Sequence, residues 1–180
     1  PRLTLRSLIL PGVAMAACWW AAPALAASPH EHGVAMLDVA VESGRVSFSL
    51  ETPLDNLLGF ERAPRTDAER AKADAALARL RDAAALFRID AAAGCTLAKV
   101  DLVSPALGLG PAPASAKEGH ADLDGQFDFG CTAGARAGFV EVGLFEAFPS
   151  LKRIELQLAT PKGQMKVTLR RPQSRVALVR

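Results

Sequence analysis

Between His32 and Thr52, apolar and polar residues alternate with one interruption. Ala35, Leu37, Val39 and Val41 fall on one face, and Val34, Met36, Asp38 and Ala40 on the other. Val46, Phe48 and Leu50 then alternate with Ser47, Ser49 and Glu51. A period of two marks a half-buried strand, since successive side chains in a strand point to opposite faces. The Glu42-Ser43-Gly44-Arg45 break predicts a hairpin between the two runs. Pro53, which has no amide hydrogen to give a ladder, closes the second strand.

The rhythm changes after Pro53. Residues 54–60 read as an apolar loop or short helical turn, serving either core packing or the docking of a partner. Thr66 followed by Glu69 is a capping-box signature, with Pro64 just before it. It predicts a long helix over residues 67–88, with Leu77, Leu80, Ala84 and Phe87 as the apolar stripe. Arg70, Lys72, Asp74, Arg79, Arg81 and Asp82 are then its solvated face.

After Gly94 the period returns to two. Strands are predicted at 95–103 and 120–131, separated by a Pro-, Gly- and Ala-rich loop at 104–119. Another strand enters at 138 and runs into a helical turn at 144–148, ended by Pro149. Runs at 151–160 and 165–170 pair about the Pro161-Lys162-Gly163-Gln164 turn, and a last short strand is placed at 175–180. The order predicts an α+β fold. Its mostly antiparallel sheet has about seven strands, covered by one long helix.

Composition changes this picture at the N-terminus. Half of the 180 residues are hydrophobic, and the mean hydropathy is +0.17, which excludes a charged disordered chain. Much of that apolarity sits in residues 1–26. Arg2 and Arg6 precede an apolar run that contains Trp19 and Trp20, and Pro23 leads into Ala24-Leu25-Ala26. This is the layout of a secretory signal peptide with a small-x-small cleavage site. Met15-Ala16-Ala17-Cys18 loosely resembles a lipoprotein box, but methionine suits its first position poorly and the better site lies downstream.

Removing residues 1–26 from 180 leaves 154, read as one β-rich exported domain over 27–180. The two charges lost are both arginines, so Lys plus Arg falls from 21 to 19 against 19 acidic residues. A chain this close to neutral lacks the basic footprint of a nucleic-acid binder. No stretch of 27–180 is long and apolar enough to be expected to span a membrane.

Cys95 and Cys131 remain. In an exported chain an even pair reads as a disulfide, and the two predicted strands agree with that. If 95–103 and 120–131 pair antiparallel about their loop, the first residue of one lies beside the last of the other. A thiolate metal pair is the competing reading, without the close C-x-x-C spacing of zinc sites.

The three histidines carry the sharpest chemistry. His30-Glu31-His32 opens the expected mature chain, and His120-Ala121-Asp122 opens the strand after the long loop. In extended chain His30 and His32 share a side, as do His120, Asp122 and Asp124. Imidazoles with a carboxylate suit zinc. The plainer reading is a polar tail and the end of a loop. No nucleophile elbow, phosphate loop or H-E-x-x-H occurs, so the expectation is a protein that is not an enzyme.

Three blocks then point to a known family: His30-Glu31-His32-Gly33-Val34-Ala35-Met36-Leu37-Asp38-Val39; Leu50-Glu51-Thr52-Pro53-Leu54-Asp55-Asn56-Leu57-Leu58-Gly59-Phe60-Glu61; and Gly119-His120-Ala121-Asp122-Leu123 up to Cys131. Phe145-Glu146-Ala147-Phe148-Pro149 and the stretch from Gln157 to Gln164 extend the likeness. The chain resembles the ZrgA-like family, periplasmic proteins associated with zinc uptake. The resemblance implies a non-enzymatic zinc-binding protein that assists zinc uptake beside membrane zinc-transport components. By position it implies His30, His32 and His120 as zinc ligands, with Glu31 and Asp122 beside them. Many members carry a histidine- and acid-rich tract where this chain has residues 104–118, and here that loop holds no histidine. At most one compact site is therefore expected. The alternative is a metal-independent periplasmic binding or assembly module that docks a partner protein.

Overall fold

The computed structural model describes residues 31–110 and 121–178. The signal peptide expected at 1–26, His30 and His120 lie outside these residues. The alternating N-terminal run forms β1 (Val34–Val41) and β2 (Arg45–Pro53), paired antiparallel with Val39 opposite Phe48. Of the two faces read from the pattern, the one with Ala35, Leu37, Val39 and Val41 is buried.

The segment after Pro53 forms α1 (Leu54–Leu58), whose Leu54, Leu57 and Leu58 are buried. Core packing is thus its role, and these leucines are not available to a partner. The capping box forms as expected: Glu69 N donates to Thr66 Oγ1 at 3.1 Å, and a Glu69 carboxylate oxygen accepts from Thr66 N at 3.3 Å.

The long helix is shorter than the pattern predicts. Helix α2 (Asp67–Arg81) ends at Asp82, which leaves helical geometry at φ −82°, ψ 54°. A four-residue turn, α3 (Ala83–Leu86), follows, and Phe87 enters strand β3 (Phe87–Ile89). The break shifts the buried phase by one residue: Ala83 and Leu86 are buried while Ala84 is exposed. Tertiary pairing overrides helix propensity here. Phe87 stacks on Phe48 with ring centroids 4.4 Å apart and meets Phe127 at 4.9 Å.

The remaining strands are β4 (Cys95–Val103), β5 (Asp122–Cys131), β6 (Phe139–Val142), β7 (Arg153–Thr160), β8 (Gly163–Arg170) and β9 (Arg175–Ala177), with α4 (Leu144–Ala147) after β6. They form two sheets. The larger has the order β4-β5-β2-β1-β7-β8 and the smaller β3-β6-β9. All pairings are antiparallel except β1 with β7, where Leu37 lies opposite Leu156. The fold is therefore α+β with mostly antiparallel strands, nine in place of about seven, among the described residues. The contact of Phe87 with Phe48 and Phe127 places the smaller sheet against the inner face of the larger one. The one long helix among the described residues, α2, adds Ala73, Ala76, Leu77 and Leu80 to the same core, so it shares the cover with the smaller sheet and the short helices instead of forming it alone.

Cys95 and Cys131 are register partners at the ends of β4 and β5 and form a disulfide. Replacing both with serine is expected to lower stability by about 3–4 kcal/mol, because the link closes a loop of 36 residues in the unfolded chain. Urea unfolding of the double variant beside the parent measures this. No helix among the described residues is long and apolar enough to cross a membrane.

Candidate metal centre

His32 is held at the entrance to β1 by a tight turn. Gly33 adopts φ +83°, a region that only glycine enters without strain, and Val34 N donates to Glu31 O at 3.0 Å. The turn is pinned from below by Asn56 of α1, which is 1 % exposed. Its amide oxygen accepts from Gly33 N at 2.6 Å, and its amide nitrogen donates to Val34 O at 2.8 Å and Thr52 Oγ1 at 3.0 Å. From the other side, Lys152 N and Arg153 N both donate to Gly33 O.

The neighbour of Asn56 supplies the first partner of the imidazole. Asp55 Oδ2 lies 2.7 Å from His32 Nδ1. Helix α1 then stops at Gly59, left-handed at φ +76°, whose N–H caps Asp55 O at 2.8 Å. The chain turns back and brings Glu61 Oε1 to 3.6 Å from His32 Nε2. Each ring nitrogen therefore faces a carboxylate. The His32 side chain is 67 % exposed, Asp55 28 % and Glu61 14 %, so the imidazole is reachable while its partners are held by the fold.

The hydrogen bond to Asp55, and then the charges of Glu61 and Asp55, raise the His32 pKa above its ordinary value of 6.5. With Asp55 accepting from Nδ1–H, the neutral ring presents its lone pair at Nε2, toward Glu61. This is the carboxylate–histidine arrangement that orients a metal-binding imidazole. Two ligands of a tetrahedral zinc with bonds of ~2.0–2.2 Å stand ~3.3–3.6 Å apart. The Nε2 to Glu61 separation matches that spacing.

Of the residues singled out from sequence, His32 is at this centre. Glu31 turns away, with its carboxylate 2.7 Å from Arg153 Nη2. That pair ties β7 to the His32 turn, while Arg153 Nε lies 2.8 Å from Glu155 of its own strand. Asp122 stands at the start of β5 opposite Pro53, and its backbone oxygen accepts from Ser104 Oγ at 2.7 Å. Ala121, the residue after His120, accepts at its carbonyl from Leu54 N at 2.8 Å, at the first residue of α1. Asp55 and Glu61 were not singled out. The available signal was that both lie in the Leu50 to Glu61 block that carries the family resemblance, beside its leucines. Among the described residues, no three His, Cys, Asp or Glu side chains converge to hold a metal. A cleft of about 540 Å³ opens instead on the outer face of the larger sheet, lined by Asp38, Ser47, Gln126, Gln157 and Lys166 among others, with no histidine or cysteine.

The sequence model described as ZrgA family zinc uptake protein matches residues 29–178. The chain belongs to the ZrgA family. No curated protein matches it. The ZrgA match starts one residue before His30 and ends at Leu178, so the His32 turn, α1, Glu61 and His120 all fall inside it. Membership makes this a protein related to zinc uptake.

Proposed function

We propose that this ZrgA protein is a periplasmic, non-enzymatic zinc-binding protein that assists zinc uptake, with His32 Nε2 and Glu61 as ligands and Asp55 orienting the imidazole. The observation that carries the proposal is the placement of one accessible histidine between two carboxylates, with the second at zinc-ligand spacing. His30 and His120 are the further ligands. Each is one residue from a described backbone position beside this centre: Glu31, whose carbonyl closes the His32 turn, and Ala121, whose carbonyl accepts from Leu54 N at the start of α1. Glu31 is a positioning group in this reading, since it pairs with Arg153, and Asp122 is kept as a weaker ligand candidate beside His120. Zinc is the cargo and is passed to membrane zinc-transport components. The acting form is the single domain 27–180, left after removal of residues 1–26.

Zinc titration calorimetry on residues 27–180, beside a variant with His30, His32 and His120 all changed to alanine, tests this. Micromolar or tighter binding in the parent and its loss in the variant are the expected results. A parent that takes up no zinc would end the proposal.

The raised pKa of His32 gives the pH dependence its sign. Zinc and a proton compete for Nε2, so affinity is expected to fall as pH drops, with a midpoint above 6.5. For the metal-free protein the sign reverses. The charged imidazole between Asp55 and Glu61 favours the fold fully below 6.5, and that contribution is lost as pH rises through the higher folded-state value. NMR titration of the His32 ring protons, with and without zinc, reads both effects.

A further inference from the structure

Glu61 lies in a segment that has no regular structure of its own, between the end of α1 at Leu58 and the start of α2 at Asp67. Its two neighbours are nonetheless fixed by one guanidinium. Arg62 lies over the Phe60 ring at 4.9 Å. The same group forks onto Glu69 of α2, with Nη2 to Oε1 at 2.6 Å and Nη1 to Oε2 at 2.9 Å. Arg62 Nη1 also donates to Ala63 O at 3.2 Å. Glu69 gathers the rest of the segment too, accepting from Arg65 N at 2.7 Å and Thr66 N at 3.3 Å. A two-pronged pair fixes orientation as well as distance, which a single contact does not.

We infer that Glu69 is a positioning residue for the metal centre: by holding Arg62 in the fork, it sets where Glu61 stands relative to His32. The inference rests on the reading that His32 and Glu61 hold zinc. Glu69 touches no metal in this account. It acts through Arg62, and through the backbone of the residue between Phe60 and Arg62. The Arg62–Glu69 pair holds the Glu69 carboxyl at about 2, well below its ordinary 4.5, so the fork keeps its charge across the pH range in which His32 titrates.

Glu69 is also a helix-capping residue, and the test must separate the two roles. Thr66→Ala removes the other half of the capping box while leaving the Arg62 fork intact. Zinc titration calorimetry on the purified exported protein compares it with Glu69→Gln. Glu69→Gln is expected to weaken zinc binding about 10–100-fold, the range for groups that orient ligands, while Thr66→Ala keeps parental affinity and loses only stability. In a Glu61→Gln background, Glu69→Gln should weaken binding no further, because its effect passes through Glu61. Should Glu69→Gln fail to fold, Arg62→Gln opens the same fork from the other side. Parental affinity in both fork variants, an equal loss in Thr66→Ala, or additive losses with Glu61→Gln would overturn the inference. A parent that binds no zinc overturns the reading of the site itself, and that result is seen before any variant is made.

Discussion

Replacing His32 with alanine is expected to weaken zinc binding more than about 100-fold, while the thermal midpoint of the metal-free protein barely moves. The size follows from rank among the ligands. Groups that only orient a ligand cost 10–100-fold when removed, and His32 is the imidazole on which the orienting carboxylate acts. At neutral pH and above, stability should barely change because the side chain is largely exposed. Asp55→Ala should fall in the orienting range, since it leaves Nε2 and Glu61 in place and loosens only the ring. A His32→Ala protein that still binds with parental affinity would move the site away from the β1 entrance.

The second large effect concerns stability and the site together. Asn56→Ala is expected to cost about 2–4 kcal/mol, from three hydrogen bonds, two buried and one partly buried, worth ~1 kcal/mol each and the added penalty of leaving buried groups unpaired. Its amide bridges Gly33 N, Val34 O and Thr52 Oγ1, so it joins the start of β1, the end of β2 and α1 at one point. The same amide lies between the elements that carry His32 and Asp55, and zinc affinity should fall with stability. Urea unfolding and zinc titration on one preparation measure both. A loss below about 0.5 kcal/mol would mean that water replaces the amide at no cost and that the turn is held by its sheet contacts alone.

The parts of this fold that can be read from sequence are those governed by neighbours along the chain. The β1–β2 hairpin follows from the period of two and its Ser43-Gly44 break, and α2 begins where Thr66 and Glu69 say it does. The Cys95–Cys131 pairing was legible because a hairpin with a long loop brings its outer ends together. The end of α2 was not legible. The apolar stripe continues past Asp82 without a glycine or proline, and only the pairing of β3 with β6 and the stacking of Phe87 on Phe48 stop the helix. The parallel pairing of β1 with β7 joins segments over a hundred residues apart, which no local period encodes.

The site shows the same division. His32 stood out because histidine is rare in this chain, with three in 180 residues. Asp55 and Glu61 are two carboxylates among 19 acidic residues, and nothing in their spacing marks them. They become distinctive when Asn56 draws α1 beneath the Gly33 turn, and Gly59 and the Arg62 fork return the chain toward the imidazole.

Zinc-edge anomalous diffraction from crystals grown with zinc tests the central claim most directly. The account predicts a peak ~2.0–2.2 Å from both His32 Nε2 and the Glu61 carboxylate, with Asp55 still bonded to Nδ1. A zinc ion bound elsewhere without His32, or bound at Nδ1 with Asp55 displaced, would contradict it.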